Sequence, residues 1–225
     1  MADATSDFTW DIELPSQSRA ALGSAKPQAR IWFEDASGRH WTKVPLCVAK
    51  ELNRTIKTEG FSPSSASELE DAINGLEEAM TWSRVVDIAS RREISVSEVR
   101  DRLKRDGFDS FYVDQALKRA ISCSLLDDAR YADVYIRSKI SAGWGQRRIE
   151  RELTSRRIDC YELAGWPYAY FDADEEYERA VEIAARKHVS DKNAFPKLVR
   201  FLMNRGFGMD VAKRAAQRVL EENSY

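Results

Sequence analysis

The sequence is poor in the residues that most often do chemistry. It holds 3 Cys and 2 His in 225 residues. Cys47, Cys123 and Cys160 are scattered, odd in number and never spaced as Cys-x-x-Cys. With His40 and His188 as the only imidazoles, a structural zinc site or a disulfide framework is not expected. Reduced thiols in a cytoplasm are the simplest reading. No Ser-His-Asp or Cys-His set is evident, and neither G-x-x-x-x-G-K-[ST] nor G-x-G-x-x-G occurs. Carboxylate pairs carry no information among 37 Asp and Glu. The expectation is a protein without catalytic activity, metal or cofactor. Glycine and proline number only 10 and 6, which argues against a turn-rich sandwich or barrel. No apolar run approaches the roughly 18 residues of a membrane helix. Residues 1–30 lack the apolar stretch of a secretory signal.

What the chain does have is helix-forming, amphipathic sequence. It is 43% hydrophobic and 32% charged, enough apolar content for a packed core. The net charge of −2 is unevenly spread. Residues 1–83 hold 8 basic and 13 acidic residues, residues 84–160 hold 17 and 13, and residues 161–225 hold 10 and 11. A mildly basic centre thus lies between acidic ends, which favours an anionic partner locally. Residues 1–29, rich in Ala, Ser, Asp and Gln, read as a disordered tail. Within 30–62, Arg30–Glu34 and His40–Val44 are strand-like around the turn chemistry of Asp35–Gly38. This predicts a β-hairpin, followed by a helix with Leu46, Ala49, Leu52 and Ile56 on one face and Gly60 at its end. A Ser/Pro linker leads to a further helix start at Glu68.

From residue 77 onward the chain repeats itself at offsets of 50 and then 49 residues. Trp82, Ala132 and Val181 coincide, as do Val85, Tyr135 and Ala184, and Val86, Ile136 and Ala185. A second stripe aligns Val99, Ile149 and Leu198, then Leu103, Leu153 and Leu202. Gly107, Arg157 and Gly206 follow, each before Phe108, Ile158 or Phe207, where a left-handed helix cap is expected. A third stripe joins Val113, Leu163 and Ala212; Ala116, Trp166 and Ala215; and Ile121, Phe171 and Leu220. The pattern predicts a mainly α protein of three tandem three-helix repeats, at 77–126, 127–175 and 176–225. Stacked in a row, such units share buried faces and form an elongated, curved rod. In the second repeat Gly165 and Pro167 should shorten or break the third helix.

The middle unit carries a resemblance. Leu125-Leu126-Asp127-Asp128-Ala129-Arg130-Tyr131-Ala132 is similar to the signature of RecX proteins, the regulators of the RecA recombinase. Tyr135-Ile136-Arg137-Ser138 and then Gly143-x-Gly145-x-x-Arg148-Ile149-x-x-Glu152-Leu153 follow in the RecX order. Val99-x3-Leu103-x3-Gly107-Phe108 resembles its first repeat, and Leu202-x2-Arg205-Gly206-Phe207 its last. Arg157 departs from the family's usual Gly. The resemblance implies a monomeric cytoplasmic modulator of DNA repair, homologous recombination and the SOS response. It would bind RecA on single-stranded DNA and depress its ATPase. The alternative is a helix-repeat protein that binds single- or double-stranded DNA without RecA.

The candidate contact residues are cations that the apolar stripes leave unexplained. Arg130 and Arg137, seven apart, fall opposite Ala132 and Ile136. Arg147 and Arg151 point away from Ile149 and Leu153, with Arg148 on the flank and paired by its spacing with Glu152. This helix starts after Gly143-Trp144-Gly145, so its amides are expected to add to an anion site. Trp144 is either a stacking surface or a lid on the core. Arg100, Lys104 and Arg105 of the first repeat are weaker candidates. Asp127 and Asp128, with Glu77 and Glu176 as counterparts, read as helix-start residues.

Overall fold

The computed structural model describes residues 8–16, 25–189 and 193–222. The chain divides into two compact units between Asp127 and Asp128. No helix among the described residues is long and apolar enough to cross a membrane.

The first unit begins with a three-stranded antiparallel sheet, β1 (Thr9–Glu13), β2 (Gln28–Asp35) and β3 (Gly38–Pro45), in that spatial order. The expected hairpin is β2–β3. The strand β1 lies where the sequence reading places a disordered tail, and corrects it. Its five residues alternate, with Trp10 and Ile12 partly buried opposite Phe33 and Ile31 of β2. A period of two over five residues is a strand signal that the polar surroundings hide. Gln28 and Ala29, at the end of the expected tail, already belong to β2, and residues 1–7 and 17–24 lie outside the described residues.

The inward face of β2, Ala29, Ile31 and Phe33, packs in one continuous core with the helices that follow. Helix α1 (Leu46–Glu59) contributes Val48, Ala49 and Leu52. Helix α2 (Ala66–Ala89) starts with Ser65 accepting from the Glu68 N–H at 3.3 Å. It runs 24 residues, well before residue 77. Its buried face is Leu69, Ile73, Glu77, Thr81, Val85 and Ile88. Of the stripe read there, Val85 is buried, Trp82 half-buried and Val86 exposed. Helices α3 (Val96–Asp106) and α4 (Ser110–Ser122) complete the first repeat. In α4 the core residues are Val113, Ala116, Leu117 and Ala120, while Ile121 is exposed. Glu77 sits in the middle of α2 and not at a helix start; its carboxylate accepts the Asp109 N–H at 2.8 Å.

The second unit holds the other two repeats. The first of them has α5 (Asp128–Ser141) and α6 (Gln146–Ser155), then a single 3-10 turn at Cys160–Glu162. The third helix is broken as its Gly and Pro predict. Aromatic rings fill its place: Trp166 meets Phe171 edge-on at 5.6 Å and Tyr170 at 6.1 Å. The last repeat is regular, with α7 (Ala173–Ala185), α8 (Ala194–Arg205) and α9 (Met209–Glu222).

The central stripe is buried in all three repeats: Val99, Ile149, Leu198, Leu103, Leu153 and Leu202 are fully inaccessible. The cap beyond it also recurs. Gly107, Arg157 and Gly206 all have positive φ, at 94°, 61° and 95°. After each, the next N–H donates back to the carbonyl of Leu103, Leu153 or Leu202, at 3.2, 3.0 and 3.2 Å. Arg157 thus adopts the backbone of the glycine it replaces.

Candidate partner-binding face of the middle unit

Helices α5 and α6 carry the candidate arginines on a framework of buried Tyr131, Ala132, Ile136, Ile149 and Leu153. Arg130, Arg137, Arg147 and Arg151 are exposed, as their phase predicts. Their engagement differs. Arg137 is tied to Asp133 one turn back, at 3.0 Å, and its guanidinium lies 5.5 Å from the Tyr170 ring. That pairing holds the Asp133 carboxyl below its ordinary value. Arg147 and Arg151, one turn apart on α6, have no side-chain partner among the described residues.

Arg148 does not pair with Glu152 as its spacing predicts. Its guanidinium lies 3.7 Å from the centre of the Trp144 ring. Glu152 pairs instead with Arg156, one turn further on, at 2.8 Å. Trp144 is half-buried and packs on the unit's core, so it is the lid and not a free stacking surface.

The sequence reading missed two cations. Lys139 Nζ lies 5.0 Å from the Tyr135 ring and 4.8 Å from Trp144. Arg156 lies 4.9 Å from the other partner, Tyr135. The side chains thus alternate as Arg148, Trp144, Lys139, Tyr135, Arg156, a ladder of cations and rings that joins α5 to α6. The i, i+4 spacing of Tyr135 with Lys139 and of Trp144 with Arg148 was the available signal.

The expected anion site at the start of α6 is not there, because its amides are already used. Gly145 N–H donates to Arg205 O at 2.9 Å, and Arg147 N–H to Gly206 O at 3.1 Å. Gln146 N–H donates to the Glu176 carboxylate at 3.1 Å. The start of one helix is docked on the end of another, so unsatisfied donors meet unsatisfied acceptors. The two backbones approach too closely for a side chain: a Cβ on Gly145 would stand 2.5 Å from Gly206 C, and one on Gly206 2.4 Å from Arg148 Cβ.

In the first unit the weaker candidates separate. Arg100 is half-buried and paired with Asp114 of α4. Arg105 Nε makes a long bond of 3.3 Å to the Asp101 carbonyl, and Lys104 is exposed. The end of α3 is again capped from a preceding segment, by Lys26 N–H on Arg105 O at 2.8 Å and Gln28 Nε2 on Gly107 O at 2.9 Å.

Comparison with known proteins agrees with this architecture. Residues 127–162 match the second three-helix domain of RecX and residues 174–216 the third. The chain is 27% identical over 130 residues to the regulatory protein RecX of Vibrio parahaemolyticus, covering 56% of this chain and 82% of that one. It is 26% identical over 145 residues to its namesake in Listeria monocytogenes, spanning 54% of that longer protein. The crystal structure of RecX from Lactobacillus salivarius superposes with a TM-score of 0.54 at 21% identity, over 64% of this chain and 96% of that one. A second crystal structure, of regulatory protein RecX, gives 0.59 at 18% identity over 92% and 97%. Both domain matches coincide with the second unit's repeats, and along most of the chain the fold is similar to that of the solved RecX structures.

Proposed function

We propose that this chain is a RecA modulator: it binds the RecA filament on single-stranded DNA and depresses its ATPase and strand exchange, with no catalysis and no cofactor of its own. It acts in this reading as a cytoplasmic monomer. The observation that supports the contact surface is the pair Arg147 and Arg151. They are exposed and one turn apart, and their side chains have no partner among the described residues, in the unit that carries the RecX signature. Guanidinium groups bind both carboxylate and phosphate in bidentate fashion and stay charged, which suits a filament surface built of protein and nucleic acid. Arg130 and Arg137 on α5 extend this surface, whereas Arg148 and Trp144 serve the fold.

The experiment is a titration of RecA ATPase on single-stranded DNA with the full chain and with the double variant Arg147→Glu, Arg151→Glu. Exposed substitutions shift stability by about 0.5 kcal/mol or less each, so the variant should melt like the parent. Inhibition should weaken by an order of magnitude or more, and the parent's effect should fall with added salt. Full inhibition by a folded double variant removes α6 from the contact surface. Absence of any effect by the parent removes the RecA reading itself.

A further inference from the structure

The junction of the second and third repeats encloses a cleft of about 600 Å³. Its apolar lining includes Ile140, Ile183 and Phe201, beside the Gly143 backbone. Four cations line it as well, Arg179, Arg186, Lys187 and Arg205, against one carboxylate, Glu182. Arg186 already engages that carboxylate. Arg205 donates to the Ala142 carbonyl at 3.2 Å, and Arg205 and Lys187 lie 5.3 and 5.5 Å from the Phe201 ring. Arg186 and Lys187 also follow the last turn of α7, where a helix dipole favours positive charge.

Arg179 has no such explanation. It lies inside α7, and its Nε and Nη2 atoms are buried without a hydrogen-bond partner among the described residues. Burial pulls its guanidinium below the ordinary arginine value, with Glu176 and Glu175 opposing. A fold does not ordinarily bury a charged donor and leave it unpaired, because the lost hydration is uncompensated. A ligand that brings acceptor oxygens supplies the compensation.

We infer that this cleft binds the phosphate group of a nucleotide unit, with Arg179 as the recessed donor and Arg186, Lys187 and Arg205 around it. The cation excess recognises the phosphate oxygens, and the apolar lining takes the flat face of a base. A single nucleic-acid strand supplies such units in series; a free nucleotide supplies one. The inference does not depend on RecA, since a nucleotide cleft stands whether or not the chain touches that protein.

The test uses the full chain and two variants. Arg179→Met keeps the aliphatic stem and deletes the half-buried guanidinium. The double variant Arg186→Gln, Lys187→Gln alters only exposed positions and serves if the first fails to fold. Anisotropy of a labelled single-stranded oligonucleotide measures strand binding, and melting with and without ATP or inorganic phosphate measures the free ligand. Binding to the strand should weaken at least tenfold in either variant, with a shallower dependence on salt. Arg179→Met should melt at or above the parent temperature, whereas an arginine serving only the fold would lower it on removal. Stabilisation of the parent by ATP should vanish in both variants. If ATP stabilises the parent and not the variants while the strand does not bind, the cleft serves a free nucleotide. Unchanged binding and unchanged stabilisation in the variants overturn the inference. So does polyglutamate that binds the parent while the oligonucleotide, ATP and phosphate do not.

Discussion

Replacing Gly145 by alanine tests how the second and third repeats are joined. Gly145 has φ −86° and ψ 162°, an extended conformation open to any residue. Chain entropy alone would therefore make Gly145→Ala stabilising by about 0.4–1 kcal/mol. The added Cβ, however, would stand 2.5 Å from Gly206 C and Phe207 N, and 2.6 Å from Gly206 O. All three are backbone atoms and cannot swing aside as a side-chain tip does. The loop must withdraw, and the N–H groups of Gly145 and Arg147 then lose Arg205 O and Gly206 O. A buried amide left unpaired costs roughly 1–3 kcal/mol. Two of them, less the entropic gain, give a net loss of about 1–5.5 kcal/mol. Gly60 is the control. It caps α1 with φ 70° and has open space around its Cβ position. Alanine there meets only the left-handed penalty of about 1–2 kcal/mol. Urea unfolding of the full chain, followed by circular dichroism, compares them. A Gly145→Ala loss no greater than that of Gly60→Ala refutes the docked arrangement.

Two further outcomes follow from the same geometry. Arg157→Gly relieves a positive φ of 61° at a cap that Gly107 and Gly206 make without strain, and should raise stability by about 0.5–1 kcal/mol in the same assay; a loss would mean that the arginine side chain holds the turn. Glu77 is held above its ordinary carboxyl value of 4.5, first by burial, with the Asp109 N–H opposing. The folded state then binds more protons than the unfolded one between 4.5 and the raised value, so this group's contribution to stability falls as pH rises through that window. Glu77→Gln should remove that slope. Unfolding curves of both proteins across acidic to neutral pH check the sign, and parallel pH profiles would show that Glu77 is not shifted.

The repeated architecture was legible because one signal recurs three times. Leu103, Leu153 and Leu202 each lie in the last turn of a short helix and four residues before a left-handed cap, and all three are fully buried. The interruption of the middle repeat was legible from Gly165 and Pro167. Signals that occur once were not. Strand β1 has only Trp10 and Ile12 to mark it, among polar residues. The buried face of α2 runs through Glu77 and Thr81, which no apolar stripe includes, and the apolar spacing extends to Val86, which is exposed.

At the candidate site, phase predicted exposure correctly for Arg130, Arg137, Arg147 and Arg151. It could not predict which of them is already engaged. Arg148 had two neighbours within reach, Glu152 and Trp144, and the half-buried ring won. The amides at the start of α6 look free in any local reading. Glu176, which accepts from Gln146, is thirty residues away; the acceptors of Gly145 and Arg147 are about sixty residues away, and Gly206 gives no sign in sequence that it serves both a cap and a close approach.

That distance has a consequence for synthesis. Gly145 leaves the ribosome sixty residues before Arg205 does. At about 5–20 residues per second, this is an interval of roughly 3–12 seconds. Throughout it, α6 can form its own turns, but the carbonyls that receive its first amides do not yet exist. The middle repeat, already short of a third helix, must wait for the one behind it. A chain that stops short of Gly206 therefore loses more than its last repeat: the unit that resembles the second RecX domain is left unfinished at the same time.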